Sequence, residues 1–283
     1  MNFRPAMTYS NLTEKEFLLF KNLVYDKCGI NLHEGKKELV RARLGKRLRE
    51  HKFTHFNQYY QFLMEEDDSG QELVRMLDAI STNLTSFFRE SKHFDFLQRE
   101  ALPDLMNTSR ALSSKGIHLW SAGCSSGEEP YTLSICLQEH MAATQVFDYK
   151  ILATDISTRM LSVAAASVYH QNQVGNMSKQ LLQRYFQRGQ GKWLQHVRLK
   201  SDIRKTVEFK RFNLMEPFPN KNFFHIIFCR NVMIYFDKKV QEAVVNKFYD
   251  ALADGGYLFI GHSESLMGTR HQFQYIKPTI YKK

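Results

Sequence analysis

From about residue 115 onward, short apolar runs typical of β-strands alternate with longer segments whose apolar residues recur at helical spacing. The strand-like runs are IHLWSA, YKILATD, TVEFKRF, FHIIFCR and GGYLFIGHS, and the helix-like segments include YTLSICLQEHM, TRMLSVAAASV and KKVQEAVVNKFYDALA. Strands that alternate with helices in this way are typical of a mainly parallel sheet with helices on both faces. The alternation therefore predicts an α/β fold of the doubly wound, Rossmann-like type.

One stretch, at about residues 190–211, does not fit that alternation. The string WLQHVRLK places apolar residues at every second position between polar and cationic ones, and TVEF follows after SDIRK. A period of two with a short connection is typical of an antiparallel hairpin. We therefore expect a small antiparallel β-subdomain, inserted before a core strand of the α/β domain.

The N-terminal part of the chain has a different pattern. Residues 10–78 contain several short amphipathic segments, the first of which follows Thr13 with Glu16 three positions later, as in a helix N-terminus. This pattern predicts a small all-α domain over residues 1–80. A polar stretch near 100–116 then predicts a domain boundary between about 80 and 115. We expect the intervening residues 81–115 to connect the two domains, which leaves 116–283 for the α/β domain.

Composition limits the class of protein. A chain of 283 residues with 43% hydrophobic residues is long enough for two modest domains with real cores. The N-terminus lacks a basic stretch followed by an apolar run, and no segment approaches the roughly 18 apolar residues of a membrane span. We therefore expect a cytoplasmic protein without membrane insertion. The cysteines form no CxxC pair, so we expect buried thiols and no metal; they are Cys28, Cys124, Cys136 and Cys229.

The net charge of +10 is concentrated in two places. Residues 177–211 carry 10 Lys or Arg against 2 Asp or Glu, and residues 36–52 carry eight against two. The apolar residues of the second segment recur every four positions, as on a helix: Val40, Leu44 and Leu48. Arg43, Lys46 and Arg49 share the opposite face. Such a face is either an ordinary solvated helix surface or a docking stripe for an acidic partner.

The first predicted strand leads into a glycine-containing turn, in the string HLWSAGCSSGEEPYT. A strand, a turn from Gly123 to Gly127 and a helix are where an α/β sheet binds a nucleotide-like ligand. Glu129 beside that ligand repels a pyrophosphate but favours an ammonium or sulfonium group. The alternative is structural, because Ser126 and Glu129 also have the spacing of a capping box.

Three later strands also end in polar or distinctive residues. Asp155 ends the second strand, where a doubly wound fold places an acid that accepts hydrogen bonds from ribose hydroxyls, although it is also a candidate N-cap. Asn213 and Leu214 follow TVEFKRF, as cofactor contacts or as ordinary turn residues. The fourth run leads directly into the polar residues Arg230, Asn231 and Tyr235, which suggests a site at this edge of the sheet.

Several of these strings together resemble one family. The strings are STNLTSFFRE (81–90), WSAGCSSGEEPYT (120–132), ATDIS (153–157), FCRNVMIYFD (228–237) and GGYLFIGHSES (255–265). In order and spacing they are similar to the motifs of the chemotaxis receptor glutamate methyltransferases, the CheR family. The resemblance covers roughly residues 12–281. It implies an N-terminal helical domain, a linker, and a doubly wound methyltransferase domain with an inserted β-subdomain.

The resemblance also implies roles for individual residues. Asn83, Thr85 and Arg89 of the linker are expected to close over the cofactor, S-adenosylmethionine. The other implied contacts are Glu129 with the methionine amino group, Asp155 with the ribose, Asn213 and Leu214 with the adenosine, Arg230 and Asn231 with remaining groups, and Tyr235 beside the methyl. Cys124 departs from the small residues expected in the turn, so we expect sensitivity to thiol reagents.

Catalytic and partner roles follow from the same resemblance. Arg89 is expected to orient a carboxylate, and Tyr235 to position the nucleophile, unless Tyr235 is only an aromatic at the rim. The predicted receptor-docking residues, which are expected to meet the glutamate-rich methylation helices of a receptor, are Arg43, Lys46, Arg47 and Arg49. The β-subdomain resembles one that captures a receptor C-terminal peptide by strand addition in some members. We expect a monomer without a nucleic-acid partner.

The sequence leaves two alternatives to receptor methylation. An RNA methyltransferase also suits a positive charge and scattered aromatic residues, but CRNVMIYF does not match the motifs expected after the fourth strand of such enzymes. A sensor or adaptor that binds the cofactor without turnover is the non-enzymatic alternative.

Overall fold

A computed structural model describes residues 9–107, 116–144, 147–218 and 220–283. The chain divides into two compact units. The helical unit comprises the described residues up to Thr82 together with Tyr235–Asp237, and the α/β unit comprises Asn83–Ile234 and Lys238–Lys283. Residues 108–115 of the predicted linker lie outside the described residues, and the described part of the linker from Asn83 onward belongs to the α/β unit.

The helical unit contains four helices: α1 (Glu14–Cys28), α2 (Lys37–His51), α3 (Phe56–Glu65) and α4 (Gln71–Ile80). Helix α1 begins with the predicted capping box of Thr13 and Glu16 and ends at Gly29, whose φ of 74° favours glycine. The core is formed by side chains with almost no exposed surface, among them Phe20, Val24, Val40, Leu44, Leu48, Phe56, Tyr59 and Met76. The four-residue apolar spacing of α2 is therefore confirmed as its buried face.

The α/β unit begins with a helical segment and continues as alternating strands and helices. Its elements are α5 (Lys92–Phe96), a π-helical turn (Leu97–Ala101), α6 (Leu102–Asn107), β1 (Ile117–Ala122), α7 (Glu128–Ala143), β2 (Tyr149–Asp155), α8 (Thr158–Ala166), β3 (Val168–His170), α9 (Lys179–Tyr185), β4 (Phe186–Arg188), β5 (His196–Leu199), α10 (Ser201–Arg204), β6 (Val207–Arg211), β7 (Phe224–Cys229), α11 (Lys238–Ala251), β8 (Leu252–Ile260), β9 (Gln274–Lys277) and β10 (Ile280–Lys282).

A seven-stranded sheet has the order β6-β2-β1-β7-β8-β10-β9. The first five strands in this order are parallel, whereas β10 is antiparallel to both β8 and β9. The chain moves outward from β1 to β2 and β6, and then returns to β7 on the other side of β1. The strand order therefore reverses between β1 and β7, where a doubly wound sheet has its ligand crevice. The predicted fold class is confirmed.

Both faces of the sheet are covered by apolar side chains. On one face, Phe228 stacks on Phe259 with ring centroids 4.3 Å apart, and Phe94 of the first helical segment stacks on Phe228. On the other face, Trp120 packs against Phe248 of α11 at 5.4 Å. This two-sided burial explains why the strand-like runs are almost continuously apolar. Within the described ranges, no helix is both long and apolar enough to cross a membrane.

The inserted subdomain differs from the prediction. It is a three-stranded antiparallel sheet in the order β3-β5-β4, and only β5 comes from the predicted hairpin at 190–211. Residues 207–211 instead form β6, which pairs in parallel with β2 of the main sheet. Strands β3 and β4 are three residues long, which is too short for a period of two to be visible in the sequence.

Candidate active site

The turn between β1 and α7 is held close to the end of β2. The backbone N–H groups of Gly123 and Cys124 both donate to the carbonyl of Thr154, at 2.8 and 2.9 Å. Gly123 has a φ of 82° and Gly127 a φ of 95°. A Cβ on Gly123 would overlap the side chain of Val232. These glycines are therefore needed for both conformation and close packing, which places an open backbone turn at the switch point of the sheet.

Asp155 joins this turn to the end of β2. Its Oδ2 accepts a hydrogen bond from the Ser125 N–H and its Oδ1 from the Ser157 N–H, both at 2.8 Å. The alternative role of helix cap is taken by Ser157, whose Oγ accepts from the Met160 N–H at the start of α8. The Asp155 carboxylate is thus fixed in orientation at the end of β2, beside the glycine turn.

Glu129 points toward the sheet rather than back to its own helix. Its Oε1 accepts from the Ser121 hydroxyl at 2.7 Å, and its Oε2 lies 3.4 Å from Arg230 Nη1. The hydroxyl of Ser126 instead donates to Glu128, so the proposed capping box with Glu129 is absent. Burial raises the pKa of Glu129, although Arg230 and Ser121 act in the opposite direction. A cationic group of a ligand would restore the charged form.

Arg230 connects two carboxylates of the site. Its side chain is only 2% exposed. Nη2 and Nε donate to Glu90 Oε2 at 3.0 and 3.3 Å, Nη2 also donates to the Arg89 carbonyl, and Nη1 faces Glu129. The guanidinium also lies over the Phe94 ring, 5.4 Å from its centroid. Arg230 therefore positions Glu90 and Glu129, and its predicted contact with a cofactor stays a prediction.

The predicted linker segment is attached to the same turn. The Asn83 carbonyl accepts from the Ser125 hydroxyl at 3.1 Å, and Arg89 Nη1 donates to the Leu84 carbonyl at 2.6 Å. Phe87 is fully buried and secures the segment against the inserted subdomain. The structure thus brings Asn83 to the glycine turn; the half-buried Thr85 and Arg89 lie in the same segment.

Asn231 follows β7 in a left-handed conformation with a φ of 60°. Its N–H donates to Glu264 Oε2 at 2.9 Å, and its Nδ2 donates to Glu90 Oε1 at 3.3 Å. A Cβ on Gly261 would stand 2.6 Å from Asn231 Nδ2, so the glycine permits this arrangement. Glu90 and Glu264 are site residues that sequence reasoning missed. Both occur inside the family-like strings, but no spacing assigns them a role.

Asn213 and Leu214 form a turn after β6. The Asn213 Oδ1 accepts from the Met215 N–H at 3.1 Å, and its carbonyl accepts from the Glu216 N–H at 2.9 Å. The interpretation of Asn213 as a turn residue therefore applies, and its contact with adenosine stays a prediction. Leu214 is buried, as expected of an apolar wall.

Tyr235 groups with the helical unit rather than with the other site residues. It ends a 3-10 turn, Met233–Tyr235, and its carbonyl accepts from the Asn31 N–H at 2.8 Å. The next residue, Phe236, pairs with Ile30 as an antiparallel bridge. The proximity of the Tyr235 ring to a transferable methyl group stays a prediction.

The four predicted receptor-docking residues fall into two groups. Arg43 donates to the carbonyls of Ile80 and Ser81 at the end of α4, and Arg47 pairs with the buried Glu72. These two side chains stabilise the helical unit. Two others are exposed: Lys46 has a side chain that is 75% exposed, and Arg49 lies over the ring of Tyr9.

All four cysteines are buried free thiols, as predicted. Cys124 is 1% exposed, and burial together with the nearby Asp155 and Glu129 carboxylates raises the pKa of its thiol well above the ordinary value. The thiolate is the reactive form of cysteine. In the folded chain, neither the exposure nor the charge of Cys124 favours the expected reaction with thiol reagents.

Known proteins share these features over nearly the whole chain. Residues 83–282 match the family described as CheR methyltransferase, SAM binding domain, and residues 15–81 match CheR methyltransferase, all-alpha domain. A chemotaxis protein methyltransferase of Borreliella burgdorferi is 45% identical over 277 residues, which cover 96% of this chain and 95% of that protein. One from Escherichia coli is 35% identical over 271 residues, covering 95% of this chain and 91% of that protein.

Proposed function

Because the chain belongs to the CheR methyltransferase family, we propose that it transfers the methyl group of S-adenosylmethionine to glutamate side chains of chemotaxis receptors. Dependence on S-adenosylmethionine and action in chemotaxis come with the family and the relatives. The choice of glutamate as acceptor is the proposal. Cofactor binding is supported above all by the glycine turn, where Asp155 and Glu129 present carboxylates at the switch point of the sheet. The glutamate acceptor follows from the resemblance to the receptor glutamate methyltransferases.

The residues of this crevice suit the cofactor. Asp155 is held in a fixed orientation at the strand end where a doubly wound fold binds ribose hydroxyls, while the Gly123–Gly127 turn lets backbone approach the ligand. Burial disfavours the charged form of Glu129. The ammonium group of the methionine moiety would stabilise that charged form by pairing with it. Asn83, Thr85 and Arg89 cover the cofactor from the linker side. Asn213 and Leu214 contact the adenosine, and Asn231 completes the contacts.

S-adenosylmethionine supplies an electrophilic methyl group on a sulfonium. A glutamate with a pKa of about 4.3 is already ionised at pH 7, so the reaction requires no general base. The carboxylate oxygen forms a bond to the methyl carbon while the carbon–sulfur bond breaks, and its electron pair stays on sulfur. The products are a glutamate methyl ester and S-adenosylhomocysteine. The protein contributes alignment and exclusion of water, which together are worth roughly 7 to 11 kcal/mol in favourable cases.

Within this proposal, Arg89 orients the acceptor carboxylate and Tyr235 positions it. We expect Tyr235→Phe to lower turnover while cofactor affinity, measured by calorimetry, stays within about twofold, since a hydroxyl that acts only in the transition state affects kcat selectively. An unchanged turnover removes the hydroxyl from the mechanism and leaves Tyr235 as a rim aromatic.

The acceptor is part of a receptor, which requires docking surfaces. We assign Lys46 and Arg49, exposed on α2, to the glutamate-rich methylation helices, for which a cationic stripe is complementary. The three-stranded inserted sheet suits a receptor C-terminal peptide that adds as a further strand. Arg188 and Arg198 on that sheet supply cations for the peptide carboxylate.

The test uses labelled S-adenosylmethionine, the full chain and a receptor cytoplasmic fragment, followed by mild base to release methanol from esters. We expect base-labile label with the native chain and with Asp254→Ala, whose carboxylate is exposed. Asp155→Ala is expected to bind the cofactor about 10- to 100-fold more weakly, as loss of charged hydrogen bonds implies. Tight cofactor binding without any transfer contradicts the proposal and favours a sensor or adaptor.

A further inference from the structure

Three potential metal ligands meet in the α/β unit, next to the site already described. Glu90, His93 and His262 each offer one ligand atom, and these atoms all lie within 4.8 Å of one another. Glu90 and His93 flank the start of α5, whereas His262 follows the end of β8. His93 has a side chain that is 2% exposed, and His262 is exposed to solvent. The cluster is therefore buried at one side and open at the other.

A hydrogen bond holds one ring nitrogen of His93. Nε2 lies 2.7 Å from the Thr279 hydroxyl oxygen, which also lies 2.6 Å from the Pro278 carbonyl. With that hydroxyl donating to the carbonyl, Nε2 carries the ring proton, and Nδ1 of the neutral imidazole keeps a lone pair. Within the described residues this buried Nδ1 has no hydrogen-bond partner.

The Nδ1 lone pair faces a carboxylate oxygen. Nδ1 lies 3.5 Å from Glu90 Oε2, and two acceptors at this distance repel each other unless a proton or a cation lies between them. The separation also suits a metal ion, since two ligands about 2.1 Å from a tetrahedral ion stand roughly 3.4 Å apart.

We propose that Glu90, His93 and His262 bind a divalent transition-metal ion, for which Zn²⁺ is the best match. Two imidazoles and one carboxylate form a zinc ligand set that leaves a fourth position to water. Thr279 supplies the outer hydrogen bond that fixes the ligating tautomer of His93. Exposed His262 gives the ion a path from solvent. The expectation of no metal was based on cysteine spacing. That spacing gives no information about this site, which contains no cysteine and whose ligands are up to 172 positions apart.

Arg230 limits how tightly the ion is held. Its guanidinium already donates to Glu90 Oε2, so a metal ion competes with it for the same oxygen. If a metal ion takes this oxygen of Glu90, the guanidinium still has a carboxylate partner, because it also faces Glu129. We therefore expect reversible occupancy that a chelator removes, unlike that of a closed four-ligand structural site.

The test is a titration of the chelator-stripped full chain with Zn²⁺ by calorimetry and with Co²⁺ by visible absorption. We expect one equivalent to bind, with the intense absorption bands of tetrahedral Co²⁺. His262→Ala is expected to weaken binding at least tenfold, and so is Thr279→Val, which removes the outer hydrogen bond. His33→Ala, which removes another exposed histidine, is the matched control and should bind as the native chain does.

Two results overturn the proposal: uptake of neither ion by the stripped chain, or binding by His262→Ala with native affinity. The second result means that the ion sits on other histidines. Tryptophan fluorescence checks that each variant is folded, because both tryptophans lie in the α/β unit that contains the cluster. None of these readouts depends on methyl transfer, so the outcome is independent of the proposed function.

Discussion

Arg230 is the residue on which most of the candidate site depends. One buried guanidinium contacts Glu90 and Glu129, and through Glu90 it is coupled to Asn231. A buried charge network of this kind contributes less than its number of contacts suggests, since each ion was first removed from water. Removal of Arg230 is nevertheless costly, because the carboxylates of Glu90 and Glu129 then stay buried without the cation that faces them.

We therefore expect Arg230→Met to destabilise the α/β unit by about 3 kcal/mol, the lower end of the range for a broken buried ion pair. Urea unfolding followed by tryptophan fluorescence measures this, since both tryptophans report on the α/β unit. The matched control is Arg184→Met. Arg184 also pairs with a glutamate, Glu139, but from a side chain that is 59% exposed, so the expected loss is much smaller than for Arg230→Met. Equal losses in the two variants contradict the assigned role of Arg230.

Cys124 gives a second prediction at this scale. Burial and two nearby carboxylates disfavour its thiolate, so we expect an aromatic disulfide reagent to leave the native chain unmodified over minutes. Denaturant should then expose all four thiols. Rapid modification of one equivalent that disappears in Cys124→Ala is the contrary result.

Single residues of the candidate site show which positions could be predicted from the sequence and which could not. The position of Asp155 at a strand end was predictable because strand ends define the crevice of a parallel sheet. Glu90 was not, since its partners Arg230 and Asn231 lie 140 and 141 positions away. No local period encodes a contact of that separation.

At the scale of elements, α2 also shows that sequence spacing does not reveal the contacts of a side chain with distant residues. Its apolar spacing identified the buried face through Val40, Leu44 and Leu48. Its cations looked alike in sequence, yet Arg43 binds the carbonyl end of α4 and Arg47 binds Glu72. Charge spacing shows which side chains share a face, but not what lies opposite them. The inserted sheet was only partly predicted for a related reason, since its strands β3 and β4 are too short to show a period.

Glu72 makes the packing of α2 against α4 sensitive to acid. It is buried, and it accepts from Arg47 Nε and the Tyr59 hydroxyl, each at 2.8 Å, with His51 3.1 Å and Arg75 3.7 Å away. Burial alone raises the pKa of Glu72, but the hydrogen bonds from Arg47, Tyr59 and His51 outweigh it and hold the pKa below the ordinary 4.5. A lowered pKa contributes stability that is present above the unfolded value and is lost as the pH falls through the folded value.

We therefore expect the helical unit to lose stability below about pH 4.5, and Glu72→Gln to remove that part of the pH dependence. The measurement is thermal unfolding by circular dichroism from pH 3 to 7, with tryptophan fluorescence as the separate signal of the α/β unit. Glu65→Gln, at an exposed position of α3, is the control and should retain the native profile. An unaltered profile in Glu72→Gln means that other carboxylates determine the acid response.

At the scale of the whole molecule, charge is distributed unevenly between surfaces. The net charge of +10 includes the eight cations of residues 36–52, and the exposed ones among them include Lys46 and Arg49 of α2. The residues assigned to the cofactor belong to the α/β unit. The proposed function therefore separates receptor docking from cofactor binding, and the two should respond differently to charge and salt.

We expect the double change Lys46→Glu and Arg49→Glu to slow receptor methylation about tenfold at low ionic strength, since complementary charge raises association rates by 10 to 1,000-fold. Cofactor affinity, titrated in parallel, should not change. The difference from the native chain should shrink as salt increases, because screening shortens the Debye length from about 30 Å at 0.01 M to about 8 Å at 0.15 M. The matched control is Lys150→Glu with Lys239→Glu, which makes the same change in net charge at exposed positions of the α/β unit. If the control slows methylation equally, the receptor responds to total charge rather than to α2, and the docking assignment fails.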